Sequence, residues 1–407
     1  MPRPALRVPF ALLTCLLALA CRDANGVVGS SLAFDPNASG SNGCAGQASS
    51  FGAPLEVVPL TTFAPDFASQ VTAALDDSLL YLTGAGATVL VVDVADPGAP
   101  TEHLLVSDGV VATALALLGA DPAAVPAFSG LAVLDQQTLL VVELSTNVIL
   151  AVDRTLPDTV SLYAGLPLVT PGHADGIAGL ARFSFQTASQ LCPNSFGVFV
   201  TDPGNHALRL IQEISDGDGG FTRLVSTMAG IGAPLTADGS LQGAAFDTPT
   251  GITSTCFDTL IVTERGDFGS GELLRGVTVL SDSNPFFGPD GFVETLVGEA
   301  GDGQTQSGVD AAGEEAGAAL ALCAGPVTPL ATTAGEVYWV DSQTGVLRRW
   351  SGRDVDCPLR ADCDSAVAAP TLTVDGVHSL TQSASGDLYL LDIDPFGPTA
   401  TLLRIAP

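Results

Sequence analysis

The stretch VFVTDPGNHALRLI, residues 198–211, decides the fold. An apolar, β-favouring run ends on Asp202, a Pro-Gly-Asn turn follows, and a second apolar run begins at Ala207. Short β-branched runs bounded by Gly, Pro, Asn and Asp read as strands joined by tight turns. The same beat recurs as LLYLTG (79–84), LLVVEL (139–144), LIVTER (260–265), VYWVDS (337–342) and LYLLDI (388–393). The residues matching Asp202 are Gly84, Glu143, Glu264, Asp341 and Asp392, so the steps along the chain are 59, 59, 62, 77 and 51 residues. Units of this length cannot bury a core alone and must stack on their neighbours. The expected fold is all-β: a six-bladed β-propeller with four-stranded blades, the repeated run being the second strand of each. No window carries a sustained 3.6-residue apolar period, so helices should be few.

The strand count also predicts how the ring closes. In the third unit Ala181-Arg182-Phe183 leads into a first strand, and residues 197–201, 207–212 and 222–228 supply the second to fourth. The sixth unit ends with Thr401 to Ile405 as its third strand and has no fourth. Leu55 to Leu60 (LEVVPL) precede the first unit and have no blade of their own. The N-terminal strand is therefore expected to complete the last blade, which also hides sheet edges that would otherwise template aggregation.

The N-terminus reads as an export signal. Arg3 and Arg7 form a basic start, and Phe10 to Ala20 form an apolar run too short to span a bilayer. The segment Ala18-Leu19-Ala20-Cys21 resembles a bacterial lipobox. That resemblance implies a lipoprotein signal peptide at 1–20 and lipid attachment at Cys21; an ordinary signal peptide cut near Ala20 is the alternative, and either exports the protein. Arg22, where an Asp would favour retention at the inner membrane, points to the outer membrane. Residues 21–50, rich in Ser, Gly, Asn and Ala, read as a flexible tether, leaving 51–407 for the propeller.

Charge removes one function class. There are 14 Lys and Arg against 44 Asp and Glu, a formal net charge of −30. Neutralising phosphates needs clustered Lys and Arg. None exist here, so nucleic acid is excluded as a partner. Of eight cysteines, Cys15 lies in the signal peptide and Cys21 is the lipid site. An even remainder of six in an exported chain favours disulfides over metal. Cys357 and Cys363 enclose a short loop, and Cys192 and Cys256 both sit just before the repeated run of consecutive units. Cys44 and Cys323 are what is left.

Residues 174–211 (ADGIAGLARFSFQT…GVFVTDPGNHALRLI) resemble an NHL repeat, which implies an NHL-repeat-type propeller of six-bladed, TolB-like architecture. Asp175-Gly176, Ala181, Phe183, Asp202, Asn205, His206 and Arg209 fall on the positions of that motif. The fourth unit keeps Asp238-Gly239, Ala245, Phe246, Pro249, Gly251-Ile252 and Glu264 but replaces Asn-His by a longer GDFGSGELLRG loop. The fifth keeps Asp341, Leu347 and Arg348. Six-bladed relatives of this shape include lyases and lactonases that hold calcium or zinc in the channel with Glu, Asn, Asp or His.

The recurring acids have two readings. They could converge on a metal in the channel, or each could accept backbone N–H groups in its own turn, the usual work of Asp at such places. Recurrence in five of six units favours the turn role, because a catalytic site needs asymmetry. Asp202, Asn205, His206, Glu264 and Asp341 are therefore structural candidates, and no catalytic or metal-ligating set stands out. His103, His173 and His378 are isolated. No cofactor is expected; calcium is the one ion with a partial loop, Asp216-Gly217-Asp218-Gly219, which reads better as a hairpin turn. The sequence shows no G-x-S-x-G elbow, H-E-x-x-H helix, P-loop or dinucleotide fingerprint. The leading expectation is a lipid-anchored, non-enzymatic envelope protein that binds a protein, peptide or glycan, with the loops at 265–275 and 299–320 as places to look. A metal-dependent hydrolase or lyase with its site in the channel is the alternative, and a surface structural protein a third.

Overall fold

The apolar runs all become strands. A computed structural model describes residues 56–63, 70–73, 78–84, 86–96, 98–168, 170–186, 189–215, 220–255, 259–266, 273–280, 290–297, 326–331, 337–341, 346–350, 367–373, 379–383, 387–393 and 400–406. Five antiparallel sheets each contain four consecutive strands. Sheet I holds Gln70–Ala73, Leu79–Gly84, Thr88–Asp93 and Thr101–Val106; sheet II holds Phe128–Val133, Thr138–Glu143, Val148–Asp153 and Val160–Ala164. Sheet III holds Leu191–Asn194, Gly197–Asp202, Ala207–Ser215 and Phe221–Ala229; sheet IV holds Pro249–Ser254, Thr259–Glu264, Leu273–Leu280 and Asp290–Val297. Sheet V holds Pro326–Ala331, Val337–Asp341, Val346–Trp350 and Val367–Thr373. A further sheet is composite: Ser379–Gln382, Leu388–Ile393 and Ala400–Ala406 are joined by Glu56–Phe63, which pairs antiparallel to the last strand from Glu56↔Ala406 to Phe63↔Ala400.

This is a β-propeller. The first strands of successive sheets lie side by side, and Ser379–Gln382 in turn lies against Gln70–Ala73 of sheet I. Apolar cores sit between sheets: one joins I to II, another II to III, another III to IV, and another the composite sheet to I. No single sheet could bury these side chains, which is the stacking that the repeat length demands.

Six blades were expected; five sheets are blades of consecutive strands and the remaining sheet is composite, and three details also depart from the sequence reading. Sheets III and IV gain short fifth strands, Gly176–Ile177 and Gly239–Ser240, on the outer side of their fourth strands, so those blades are five-stranded rather than four-stranded. Ala181-Arg182-Phe183 is not continuous with the first strand of sheet III, which begins at Leu191; Arg182 instead bridges Ala174. Between sheets I and II runs one α-helix, Asp108–Leu117, whose buried Val111 and Leu115, one turn apart, dock on the I–II core. Its run of Val, Ala and Leu is apolar on every side, so the period that would have revealed it is absent.

The first strands approach closely. Gly130 N–H donates to the Ser189 carbonyl (2.9 Å), and a Cβ on Gly130 would meet that same oxygen and lie 2.7 Å from the Gln190 Cα. Both obstacles are backbone. Gly130→Ala should therefore lower the unfolding free energy by about 1–3 kcal/mol, measured by urea denaturation. An unchanged midpoint would mean that sheets II and III do not meet here.

Candidate functional site

The recurring acid ends the second strand. Asp202 pairs with Ala207, Glu143 with Val148, Glu264 with Leu273 and Asp341 with Val346, each opening the third strand. Asp392 differs: its strand continues to Ile393, and it pairs with Thr401. Glu143, Asp202 and Glu264 are all fully buried. Each turns its carboxylate toward the segment entering its own blade. Ser184 N–H donates to Asp202 Oδ1 (2.8 Å), Asp247 N–H to Glu264 Oε1 (2.9 Å) and Ala127 N–H to Glu143 Oε1 (3.2 Å). Glu143 also accepts the N–H groups of Ser145 and Thr146, both at 2.9 Å, and both their hydroxyls. Buried N–H groups without acceptors would cost roughly 1–3 kcal/mol each, so these acids make the polar turns compatible with burial.

Sheets III and IV add an arginine to this arrangement. Arg209, on the third strand and wholly buried, donates Nη1–H to Asp202 Oδ2 (2.8 Å) and Nη2–H to Asp175 Oδ1 (2.6 Å). The remaining N–H groups of these nitrogens reach the carbonyls of Arg182 and Ala174, and the guanidinium lies 5.0 Å from the Phe183 ring centre. Arg275 does the same in sheet IV: Nη1 to Glu264 Oε2 (2.5 Å), Nη2 to Asp238 Oδ1 (2.9 Å), and 5.2 Å to the Phe246 ring centre. The outer carboxylates also cap the fourth strands, since Thr227 gives its N–H and hydroxyl to Asp175 and Thr295 gives both to Asp238. A planar guanidinium fork suits this dual recognition, which an ammonium would not reproduce. Burial raises the Asp202 and Glu264 carboxyls above the ordinary range, opposed by the neighbouring guanidinium and by N–H donors. Asp175 is also raised by burial, but the Thr227 N–H and Arg209 outweigh that and hold it below the ordinary range.

A second device joins neighbouring blades. The last turn residue before the third strand is left-handed in sheets II and III: Asn147 has φ 57° and His206 has φ 51°. Asn147 Oδ1 accepts the Phe185 N–H (3.0 Å), and His206 Nδ1 accepts the Thr248 N–H (3.2 Å). Phe185 follows Ser184, and Thr248 follows Asp247. Two consecutive amides of each entry segment are thus fixed, the first by that blade's acid and the second by the preceding blade. Further bonds cross between first strands: Ile252 N–H to Gln190 Oε1 (3.0 Å), Ala331 N–H to Thr253 Oγ1 (3.3 Å) and Val71 N–H to Ser379 Oγ (3.0 Å). Arg223 of sheet III stacks on Tyr163 of sheet II at 4.3 Å, and burial pushes that phenol up to about 12.

The structure brings Asp202, Asn205 and His206 together in one turn, Asn205 donating to Asp202 Oδ2 and to the Gly172 carbonyl, both at 2.8 Å. In sheet IV the Thr236 hydroxyl takes that part, donating to Glu264. Glu264 sits in the corresponding network one blade on; of Asp341 only the backbone is described. His173 is exposed and bonds Thr227 Oγ1 (2.9 Å), and His103 lies on the exposed first half of the fourth strand of sheet I. Cys192 is buried in the III–IV core. Cys21, Cys44, Cys256, Cys323, Cys357, Cys363, His378, the Asp216–Gly219 turn and the loop at 299–320 lie outside the described residues, as do residues 267–272 of the loop expected at 265–275; its last three residues are not loop but open the strand Leu273–Leu280. The sequence reading missed Asn147, Thr227, Thr295 and Arg275. Arg275 was hidden because the turn before it is four residues longer than the one before Arg209. Among the described residues no three His, Cys, Asp or Glu side chains are placed to hold one metal ion, and no helix is long and apolar enough to cross a membrane.

No family model and no curated protein matches the sequence. Solved structures do match. A gluconolactonase from Xanthomonas campestris superposes with a TM-score of 0.52 at 14% identity, over 87% of this chain and 91% of that one. A streptogramin B lyase gives 0.48 at 11% identity over 86% and 98%. The PQQ-bound aldose sugar dehydrogenase of Streptomyces coelicolor gives 0.43 at 15% over 87% and 99%. The likeness to the gluconolactonase is one of fold.

Proposed function

We propose that this chain is a binding or scaffold module of the bacterial cell envelope, held to the membrane by lipid on Cys21 and engaging a protein, peptide or glycan through loops on one face. In this reading it is a six-bladed propeller of NHL, TolB-like type, with Glu56–Phe63 completing the last blade. One observation carries it. The repeated acids that could have formed a reactive ring, Glu143, Asp202 and Glu264, each hold backbone N–H groups of their own blade, and two of them also hold a buried arginine. Carboxylates engaged in this way do structural work. The competing reading is a metal-dependent hydrolase or lyase acting in the central channel; likeness to a gluconolactonase at 14% identity supports its fold and not its chemistry.

Metal analysis of the purified protein separates the two. The binding reading expects no stoichiometric calcium or zinc, and one calcium or zinc per chain would overturn it. For the anchor, Cys21→Ala is expected to move the protein from the membrane to the soluble fraction; unchanged membrane association would remove the lipid from the proposal. Disulfides Cys192–Cys256 and Cys357–Cys363 are part of the same reading, to be tested by peptide mapping without reductant.

A further inference from the structure

We propose that the joint between sheets III and IV is a proton-sensitive latch, while the matching joint between sheets II and III is not. The two joints are built alike. In each, a left-handed turn residue offers a side-chain acceptor to one backbone N–H of the next blade: Asn147 Oδ1 to Phe185, and His206 Nδ1 to Thr248. An amide oxygen accepts at any ordinary pH. An imidazole nitrogen accepts only while it is unprotonated, and histidine is the side chain whose ordinary titration falls between pH 5 and 8. A protonated His206 turns Nδ1 into a donor facing another donor, so the bond is lost as pH falls.

The segment on the other side of the latch is poised to move. Thr248 has φ +60°, a conformation that a β-branched residue adopts only under constraint. Its N–H is held by His206, its hydroxyl bonds Asp247 Oδ1 (3.2 Å), and its carbonyl accepts the Arg265 N–H (3.1 Å). The charged groups around the latch are Asp202 and Arg209 on the His206 blade, and Asp247, Glu264, Arg265 and Arg275 on the other. Each arginine is shared by two carboxylates, Arg209 by Asp202 and Asp175 and Arg275 by Glu264 and Asp238. The inner strand of sheet IV starts directly after Thr248, at Pro249. Release of the latch therefore loosens the entry to that strand.

Amide hydrogen exchange resolved at single residues tests this. After division by the intrinsic rate, exchange at Thr248 should rise about five- to tenfold between pH 7.5 and pH 5, the size of one lost hydrogen bond. Phe185, held by Asn147, should show no such rise. His206→Asn, which copies the neighbouring joint, should keep Thr248 protected at both pH values. Thr248 protection that does not change with pH in the wild-type chain would overturn the proposal. So would a pH-dependent rise that survives in His206→Asn.

Discussion

Replacing Arg209 by leucine should cost about 3–5 kcal/mol of stability, one of the two largest losses expected from a single substitution in this chain. Arg209 is wholly buried, and so is Asp202, its partner at 2.8 Å. Leucine leaves a carboxylate in the interior with no cation. It also removes the fork that ties Asp175 and the carbonyls of Ala174 and Arg182 to the blade. Lysine should rescue little, because a single ammonium cannot span two carboxylates and two carbonyls in one plane. Equilibrium unfolding in urea measures the loss. A change under 1 kcal/mol would mean that this ion pair does not form inside the protein.

Glu143→Ala should be of similar size, about 3–5 kcal/mol, for a different reason. No arginine is involved. The glutamate accepts three backbone N–H groups, of Ala127, Ser145 and Thr146, together with two hydroxyls. Alanine leaves the amides without acceptors in a turn where Thr146 and Asn147 are buried. Glu143→Gln should recover part of the loss, since one amide oxygen remains an acceptor while the NH2 group faces donors. The two substitutions measured side by side by thermal and urea unfolding check the assignment. Equal stability of Glu143→Ala and the parent would contradict it.

The second strands were legible because their signal is local. Each run is three or four apolar residues, followed in three copies by Thr, and closed by an acid or a glycine, and the observed strands, from Leu79–Gly84 to Leu388–Ile393, begin and end within a residue of those runs. The pairing of the N-terminal strand with the C-terminal one was also readable, because a unit short of one strand must find it elsewhere; the observed Glu56–Phe63 is longer than the run LEVVPL suggests. What was not legible is what depends on partners far away in sequence. Asn147 looks like an ordinary turn residue until Phe185, 38 positions on, is seen to need its oxygen. Thr227 and Thr295 sit in plain β sequence, and only the fold brings them to Asp175 and Asp238. The helix Asp108–Leu117 escaped because its run is apolar all round, and the tertiary contact of Val111 and Leu115, rather than a periodic pattern, fixes it. Arg182 was read as part of the approach to an inner strand, whereas the chain takes a bridge to Ala174 and then a loop before Leu191.

The central claim is that the repeated acid is a scaffold group whose partner lies in its own blade. A double-mutant cycle on Asp202 and Arg209, with leucine at each, tests it by urea unfolding. Each single change should cost about 3–5 kcal/mol, and the double change about as much as one single, giving a coupling of roughly 3 kcal/mol. Costs that simply add would show that the two side chains act apart, and would return the acid to the pool of candidate ligands.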